Sequence, residues 1–134
     1  MDIDGECHCG AIAYRAKIDP QRVRICHCSD CQVLSGTAFR ITVPADENMF
    51  VLLRGVPAEY RKTAESGRVR MQTFCRDCGS PLYATTTGHG PRVFGIREGT
   101  IRQRRELVPR RQFWRRSALP WVPAISCAAV FETQ

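Results

Sequence analysis

Seven of the eight cysteines in this chain fall into three short clusters, and this grouping constrains the fold more than any other feature. Each cluster is separated from the next by enough residues for a strand or more, so the clusters can meet only through the fold. In a chain that keeps its thiols reduced, such spacing is typical of metal or redox sites rather than of disulfides. The clusters are Cys7-x-Cys9, Cys26-x-Cys28-x-x-Cys31 and Cys75-x-x-Cys78.

The composition favours a globular, reduced protein. The first six residues, MDIDGE, are acidic and contain no apolar run of the kind found in a signal peptide. No stretch approaches the roughly 20 apolar residues needed to cross a bilayer. We therefore expect a cytoplasmic protein. With 134 residues, of which 43% are hydrophobic, we expect one zinc-binding domain over residues 1–134.

The positive charge of the chain raises the question of a nucleic-acid partner. The formal net charge is +7, and eight arginines lie between residues 97 and 116. Zinc–thiolate sites would offset part of this charge, since zinc with four thiolates carries about −2 and zinc with three carries about −1. Neither RNA-stacking signatures nor a helix-turn-helix pattern accompanies the arginines, so we disfavour nucleic-acid binding.

The apolar pattern predicts a mainly β fold. Short segments alternate between apolar and polar residues or form compact apolar runs, and glycine and proline separate them. We expect about eight to ten short strands, with a short helical turn near residues 28–35. We interpret the aromatic tail, residues 113–123, as an irregular segment whose Trp114 and Trp121 close the core; the alternative is that they shape the wall of a pocket. The predicted strands include residues 11–16, 38–43, 50–53, 69–74, 81–85 and 92–96.

Two cysteine pairs predict a closed metal site. Cys75-x-x-Cys78, followed by Gly79, has the form of a zinc knuckle, which supplies two sulfur ligands. Cys7 and Cys9 would share one face of an extended chain, so both sulfurs can reach the same ion. If both pairs bind the same ion, they form a structural zinc site with four cysteine ligands, which links distant segments of the sequence.

Cys26, Cys28 and Cys31 remain as a separate group of three. Three protein ligands with one position left for water or substrate are the arrangement of catalytic zinc. The alternatives are a metal-free thiol cluster and a site closed by one further ligand. We favour the open site, with a zinc ion that is labile and not always bound. The candidate fourth ligands are His8, His27, His89 and Cys127. Alternation along the chain directs His27 away from the sulfurs, His89 is predicted at the tip of a loop, and Cys127 is interpreted as a small buried hydrophobic residue.

The clusters and their surroundings resemble a known family. "CHCSDC" followed by "SGTAF", then "FCRDCGSPL" and the tail "RRQFWRRSALPWV", are similar to the glutathione-dependent formaldehyde-activating enzymes, a family that includes centromere protein V-like domains. The resemblance covers nearly the whole chain and implies coiled antiparallel sheets, described as β-tent-like. It also implies a structural zinc at the equivalents of Cys7, Cys9, Cys75 and Cys78, and a second, more labile zinc at Cys26, Cys28 and Cys31.

The resemblance also implies a reaction. The family's namesake reaction joins formaldehyde and glutathione into S-hydroxymethylglutathione, formally a carbon–sulfur lyase running in reverse. We therefore expect a zinc-dependent enzyme that acts on an aldehyde adduct of glutathione or another small-molecule thiol, whose sulfur would bind the open zinc and lose its proton more easily. Arg40 and Arg76 are candidates for binding the carboxylates of glutathione. Where many members have an acidic Gly-Thr-Leu-Asp turn, this chain has Gly99-Thr100-Ile101-Arg102, which reverses the local charge.

Two other hypotheses remain open. The first is a non-catalytic, zinc-stabilised binding module that engages an acidic partner through the arginines of residues 97–116. The second is a redox or metal sensor, because zinc–thiolate centres with an open face can be oxidised. The oligomeric state is not determined by any of these features.

Overall fold

A computed structural model of the protein describes residues 1–63, 67–88 and 90–134. Within these ranges the chain forms two β-sheets and one short α-helix, α1 (Ser29–Ser35), so the predicted mainly β class is confirmed. Eleven strands are present there, slightly more than expected. No helix in the described part of the chain is long and apolar enough to cross a membrane.

The smaller sheet has three antiparallel strands, in the order β1-β2-β5. Its first strand passes so close to a neighbouring loop that only glycine fits at one position. A Cβ added to Gly5 would lie 2.3 Å from Oη of Tyr14 and 2.4 Å from the carbonyl oxygen of Thr100. The strands are β1 (Asp2–Glu6), β2 (Ala13–Lys17) and β5 (Phe50–Arg54).

The larger sheet has eight strands, in the order β11-β10-β3-β4-β9-β8-β7-β6. Neighbouring strands within this sheet are antiparallel, except that β10 runs parallel to both β3 and β11. The parallel pairing arises because the tail of the chain returns alongside the early strand β3 in the same direction. The strands are β3 (Arg24–Cys26), β4 (Arg40–Asp46), β6 (Ala58–Thr63), β7 (Val69–Phe74), β8 (Pro81–Thr86), β9 (Val93–Arg97), β10 (Arg111–Phe113) and β11 (Ala129–Val130).

The hydrophobic core lies between the two sheets and contains a group of four aromatic rings. Phe50 of the small sheet stacks on Phe94 of the large sheet, with ring centroids 4.7 Å apart. Phe50 also meets Tyr83 edge-on at 4.9 Å and stacks on Tyr14 at 5.5 Å. Such pairs contribute about 0.5–1.5 kcal/mol each beyond the area that they bury. The aromatic group therefore holds the sheets face to face.

The tail differs from its prediction. Trp121 is 72% exposed, so its assignment to core closure is wrong. The neighbouring Val122 is buried instead, and Phe113 stacks on Phe131 with centroids 5.2 Å apart. The tail is anchored by backbone pairing of β10 with β3 and β11 and by these side chains, so it does not depend on Trp121.

Candidate functional site

The fold brings Cys7, Cys9, Cys75 and Cys78, the four-cysteine cluster, together at one point. All four Sγ atoms lie within 4.8 Å of one another. The Sγ–Sγ distances are 3.6 Å for Cys7–Cys9 and 3.7 Å for Cys9–Cys75. Four thiolates placed tetrahedrally around an ion at about 2.3 Å would be separated by about 3.8 Å. The cluster therefore has the dimensions of a tetrahedral metal site.

Local backbone geometry prepares the four-cysteine cluster. Gly79 adopts a left-handed conformation, with φ 76°, and its N–H donates to the carbonyl oxygen of Cys75 at 2.7 Å. The N–H of Ile12 donates to Sγ of Cys7 at 3.3 Å. Hydrogen bonds from Ser80 lower the pKa of Cys78 to about 5. Because one cysteine pair follows β1 and the other lies between β7 and β8, a bound metal would join the two sheets.

Cys26, Cys28 and Cys31 form a second group, the three-cysteine cluster. Cys26 is the last residue of β3, Cys28 caps α1, and Cys31 lies in the first turn of that helix. Their Sγ atoms lie within 4.8 Å of one another, and the N–H of Cys31 donates to Sγ of Cys28 at 3.4 Å. Hydrogen bonds with Cys26 and Cys31 lower the pKa of Cys28 to about 2, and Arg40 contributes through its positive charge. The pKa of Cys31 is raised by the same sulfur contacts.

No fourth His, Cys, Asp or Glu ligand joins the three-cysteine cluster among the residues that the structure describes. His27 is turned into the interior, where its Nε2 lies 2.8 Å from Oε1 of Gln112. His8 lines a different cavity. Cys127 is partly exposed and donates to the carbonyl oxygen of Pro109, so its assignment as a buried hydrophobe is wrong. His89 lies outside the described residues.

The three-cysteine cluster opens into a cavity of about 340 Å³, the cysteine cavity. Its positive side chains outnumber its one acidic side chain, Asp30, which pairs with Lys62. Such a cavity attracts anions, even when a charge of about −1 is added for a divalent metal with three thiolates. Arg76, the second arginine suggested from the sequence, does not line this cavity. The cations are Arg24, Arg40, Lys62, Arg70 and Arg97.

Arg97 is the most deeply buried of these cations, with 8% of its surface exposed. Its Nη2 donates to Oε1 of Gln72 at 2.6 Å, and its Nη1 donates to Oγ1 of Thr42 at 3.4 Å. Burial and the neighbouring Arg40 lower the pKa of Arg97. Gln72 also accepts from Nη1 of Arg40 at 3.5 Å. One amide thus holds two guanidinium groups beside the cysteine cavity.

The sequence analysis did not identify most of the arginines that line the cysteine cavity, although the alternation of residues along β7 could have indicated one of them. Arg70 and Gln72 occupy alternate positions of β7, and both line the cysteine cavity. Period-two alternation identifies such residues as sharing one face but does not say that the face borders a cavity rather than solvent.

Trp114 forms part of the wall of the cysteine cavity and does not close the core as predicted. Among the described non-glycine residues, it alone has a positive φ, of 56°. The guanidinium of Arg116 lies over its ring, 5.0 Å from the centroid. Left-handed backbone is costly for a bulky residue and concentrates at binding sites. The residue with this costly conformation thus lies in the wall of the cavity into which the three-cysteine cluster opens.

A second cavity of about 530 Å³, the adjoining cavity, lies next to the first. It shares Leu34, Arg40 and Arg97 with the cysteine cavity. It extends to His8 and Ser80, beside the four-cysteine cluster, and is also lined by Glu98. The two cavities together run from one cysteine cluster towards the other.

Comparisons with known proteins find a relative in sequence and a solved structure of the same fold. The chain is 28% identical over 98 residues to an uncharacterized lyase of Schizosaccharomyces pombe, a match that covers 67% of this chain and 63% of the relative. The match thus spans less than two thirds of that relative's length. A crystal structure of a Rhodobacter sphaeroides protein shares the fold, with a TM-score of 0.59, 22% identity, and coverage of 74% of this chain and 87% of the other.

A family match covers most of the chain. Residues 2–117 match the family described as "Glutathione-dependent formaldehyde-activating enzyme". That range contains the four-cysteine cluster, the three-cysteine cluster and the arginines that line the cysteine cavity. The protein therefore belongs to the glutathione-dependent formaldehyde-activating enzyme family.

Proposed function

We propose that this protein is a zinc-dependent enzyme of the carbon–sulfur lyase type, which joins a thiol such as glutathione to a small aldehyde and cleaves the same adduct in reverse. The observation that carries the proposal is the three-cysteine cluster, which has no fourth described ligand and opens into a cavity lined by arginines. The family match and the lyase name of the fungal relative support the reaction class.

The proposal assigns the two cysteine clusters different roles. The four-cysteine cluster would hold a structural zinc, and its sulfur separations suit tetrahedral coordination. The three-cysteine cluster would hold the second zinc. When bound there, zinc would supply a Lewis acid that lowers the pKa of a thiol at its open position.

The reaction needs neither an oxidant nor a reductant. A bond forms between the thiol sulfur and the carbonyl carbon, while the second carbon–oxygen bond opens. The sulfur loses its proton to water, and the oxygen takes a proton from water, so atoms and charge balance. The chain's contribution is to hold the thiol in place, which removes much of the entropic barrier to a bimolecular reaction.

Named residues would provide that positioning. Arg40 and Arg97 offer guanidinium groups to the carboxylates of the thiol, and both border the cysteine cavity. Phe113 and Trp114 form an aromatic wall that limits access of water to the reacting sulfur. Gln72 holds the two guanidinium groups in position through its Oε1 atom.

Binding of an acidic polymer through the arginines of residues 97–116 has less support. Arg97 is buried beside the cysteine cavity. Arg102 pairs with Asp4 and Glu6, and Arg116 lies over the ring of Trp114. Arg97, Arg102 and Arg116 are thus engaged in separate local interactions, which weakens the case for a single basic patch over residues 97–116.

The proposal is tested by following adduct formation. Zinc-loaded protein is mixed with formaldehyde and glutathione, and exchange NMR measures the rate at which S-hydroxymethylglutathione forms and breaks down. We expect wild-type protein to accelerate exchange and Cys28→Ser to lose the acceleration. Cys127→Ser, which removes a thiol outside both clusters, serves as the matched control and should retain it. Equal rates for wild type and Cys28→Ser would overturn the proposal.

A further inference from the structure

A segment beyond the family match carries an inference about which molecules enter the cysteine cavity. The match ends at residue 117, and residues 129–134, the closing segment, lie outside it. We propose that the closing segment completes the wall of the cysteine cavity and limits the size of the thiol admitted, with Phe131 as the positioning residue that holds this wall. The role in substrate choice rests on the proposed function, whereas the control of access does not.

The closing segment borders the cysteine cavity although it is distant in sequence from the cysteines. Gln134 lines the cavity together with Phe113 and Trp114. The segment adds little to the hydrophobic core, since Val130 is 51% exposed and Phe131 is 45% exposed. Its contacts are made with the aromatic wall instead. We therefore assign the closing segment a role at the cavity rather than in the core.

Phe131 holds the aromatic wall with both its backbone and its ring. Its N–H donates to the carbonyl oxygen of Gln112 at 2.9 Å, and its carbonyl oxygen accepts from the N–H of Arg115 at 2.9 Å. These two hydrogen bonds lie on either side of Phe113 and Trp114 in the sequence. The ring of Phe131 stacks on that of Phe113, with centroids 5.2 Å apart and planes 10° from parallel. Phe131 therefore fixes the backbone and one side chain of the wall.

The backbone of Trp114 needs such support. A left-handed conformation, here with φ 56°, is costly for a bulky residue and persists only when the surrounding structure holds it. The carbonyl oxygen of Trp114 accepts from the N–H of Ser117 at 3.0 Å, and the next residue, Arg115, is held by Phe131. Loss of the contacts of Phe131 should therefore release Trp114 towards an ordinary conformation and move the wall.

The wall is also joined to the turn that carries the cysteines. The carbonyl oxygen of Phe113 accepts at 3.1 Å from the N–H of His27, which lies between Cys26 and Cys28. The guanidinium of Arg24, which lines the cavity, lies over the ring of Phe113 at 5.8 Å from its centroid. One ring thus contacts both the closing segment and an arginine of the cavity. A change in the closing segment would reach the site without altering any cysteine.

The test measures access to the three-cysteine cluster with two thiol reagents of different size. A mild chelator first removes any metal from this cluster, and the protein then reacts separately with N-ethylmaleimide and with the larger N-pyrenylmaleimide. Peptide mass spectrometry gives each rate at the cluster, and free glutathione corrects for the intrinsic reactivity of each reagent. The ratio of the rate with the large reagent to the rate with the small one reports how far the wall restricts access. We expect Phe131→Ala to raise this ratio about three- to tenfold, the factor that corresponds to one aromatic pair.

Three further variants show whether the effect belongs to the closing segment. Phe131→Tyr keeps the ring, and Val130→Ala changes the exposed neighbour, so each should alter the ratio less than about twofold. Gln134→Trp adds bulk to the wall and should lower the ratio. Thermal melts establish that each variant is folded. An unchanged ratio in folded Phe131→Ala, or an equal rise in Phe131→Tyr, would overturn the inference. If Phe131→Ala does not fold, an unchanged ratio in Gln134→Trp would overturn it.

Fluorescence provides a measurement of the wall that involves no thiol. The sequence contains two tryptophans, so Trp121→Phe leaves Trp114 as the single emitter. Acrylamide should quench Trp114 more readily when Phe131→Ala is added to Trp121→Phe, because the wall is no longer held. Adding Phe131→Tyr instead should leave the quenching unchanged. Equal quenching with and without Phe131→Ala would count against Phe131 as the positioning residue.

The outcomes also separate this inference from the proposed function, since alkylation and quenching require no catalysis. If both respond as expected but no adduct forms faster than in buffer, the enzymatic proposal is wrong and the control of access stands. If adduct formation is accelerated but Phe131→Ala changes neither the alkylation ratio nor the preference between glutathione and larger thiols, the closing-segment inference is wrong and the enzymatic proposal stands.

Discussion

His27 and Gln112 form a buried pair, with Nε2 of the imidazole 2.8 Å from Oε1 of the amide. The Nε2 atom of Gln112 donates to the carbonyl oxygen of Ile125 at 2.7 Å, so Oε1 is the free acceptor, and His27 carries its hydrogen on Nε2. Nε2 of Gln32 donates to the backbone oxygen of His27 at 2.8 Å. His27 therefore anchors the turn between Cys26 and Cys28, and its ring is held among interior groups.

This role predicts the behaviour of His27→Ala. The substitution leaves Oε1 of Gln112 buried without a partner and opens a cavity, so we expect the free energy of unfolding to fall by about 2–4 kcal/mol. Chemical denaturation measures that loss. With both clusters binding zinc as proposed, metal analysis at saturating zinc should give two ions per chain for the variant as for the wild type, because no proposed ligand is removed. One ion per chain, the value expected of Cys28→Ser, would instead identify His27 as a ligand.

The four-cysteine cluster should dominate stability. Cys75→Ser removes one of the proposed zinc ligands that would join the two sheets, and we expect a loss on the order of several kcal/mol, a large share of the roughly 5–15 kcal/mol of a typical domain. Cys28→Ser should lower the melting temperature much less, since Cys26, Cys28 and Cys31 all lie within β3 and the adjacent α1. Calorimetric melts of both variants check the contrast. Equal losses would contradict it.

Chelator-treated protein should retain a thiolate at Cys28. Hydrogen bonds with Cys26 and Cys31 lower the pKa of Cys28 to about 2, whereas a free thiol has a pKa of about 8.5. Cys28 therefore keeps its negative charge at pH values where a free thiol is protonated. We expect its alkylation by iodoacetamide, followed by peptide mass spectrometry, to be nearly independent of pH between about 6 and 8. Free cysteine, under the same conditions, should slow about tenfold per pH unit. A similar slope at Cys28 would disprove the prediction.

Gly5 should not tolerate a side chain. A Cβ there would approach both the phenol oxygen of Tyr14 and the backbone oxygen of Thr100, so Gly5→Ala should destabilise the protein by about 1–3 kcal/mol. Gly99→Ala is the matched control, because no heavy atom lies within 4 Å of a Cβ built at Gly99. Urea denaturation of the two variants measures the difference. A neutral Gly5→Ala would mean that β1 can move away from the loop.

The cysteine grouping could be predicted because it depends on local geometry. A C-x-C segment in an extended chain and a C-x-x-C turn each direct two sulfurs to one point, and four plus three is the natural division of seven clustered cysteines. The structure brings together the same two groups. The predicted strands at residues 69–74 and 81–85 are confirmed as β7 and β8; the first alternates apolar and polar residues in sequence, and the second has four consecutive buried residues.

Features that depend on long-range arrangement could not be predicted. β3 and β10 contain three residues each, too few to show a period, and they become strands because they pair with each other. β6 is largely polar because it is an exposed edge strand. Arg97, at the end of β9, reads as an ordinary solvent-facing charge until β4 and β7 supply Thr42 and Gln72 as its partners.

The order of the cysteines along the chain determines the order in which the two clusters are completed during biosynthesis. As the chain leaves the ribosome, five thiols within residues 7–31 emerge before Cys75 and Cys78 do. The aromatic wall of Phe113 and Trp114, which depends on β10, arrives later still. Cys26, Cys28 and Cys31 therefore emerge as a complete group while Cys7 and Cys9 still lack Cys75 and Cys78, so a metal ion that bound during synthesis would meet the three-cysteine cluster first.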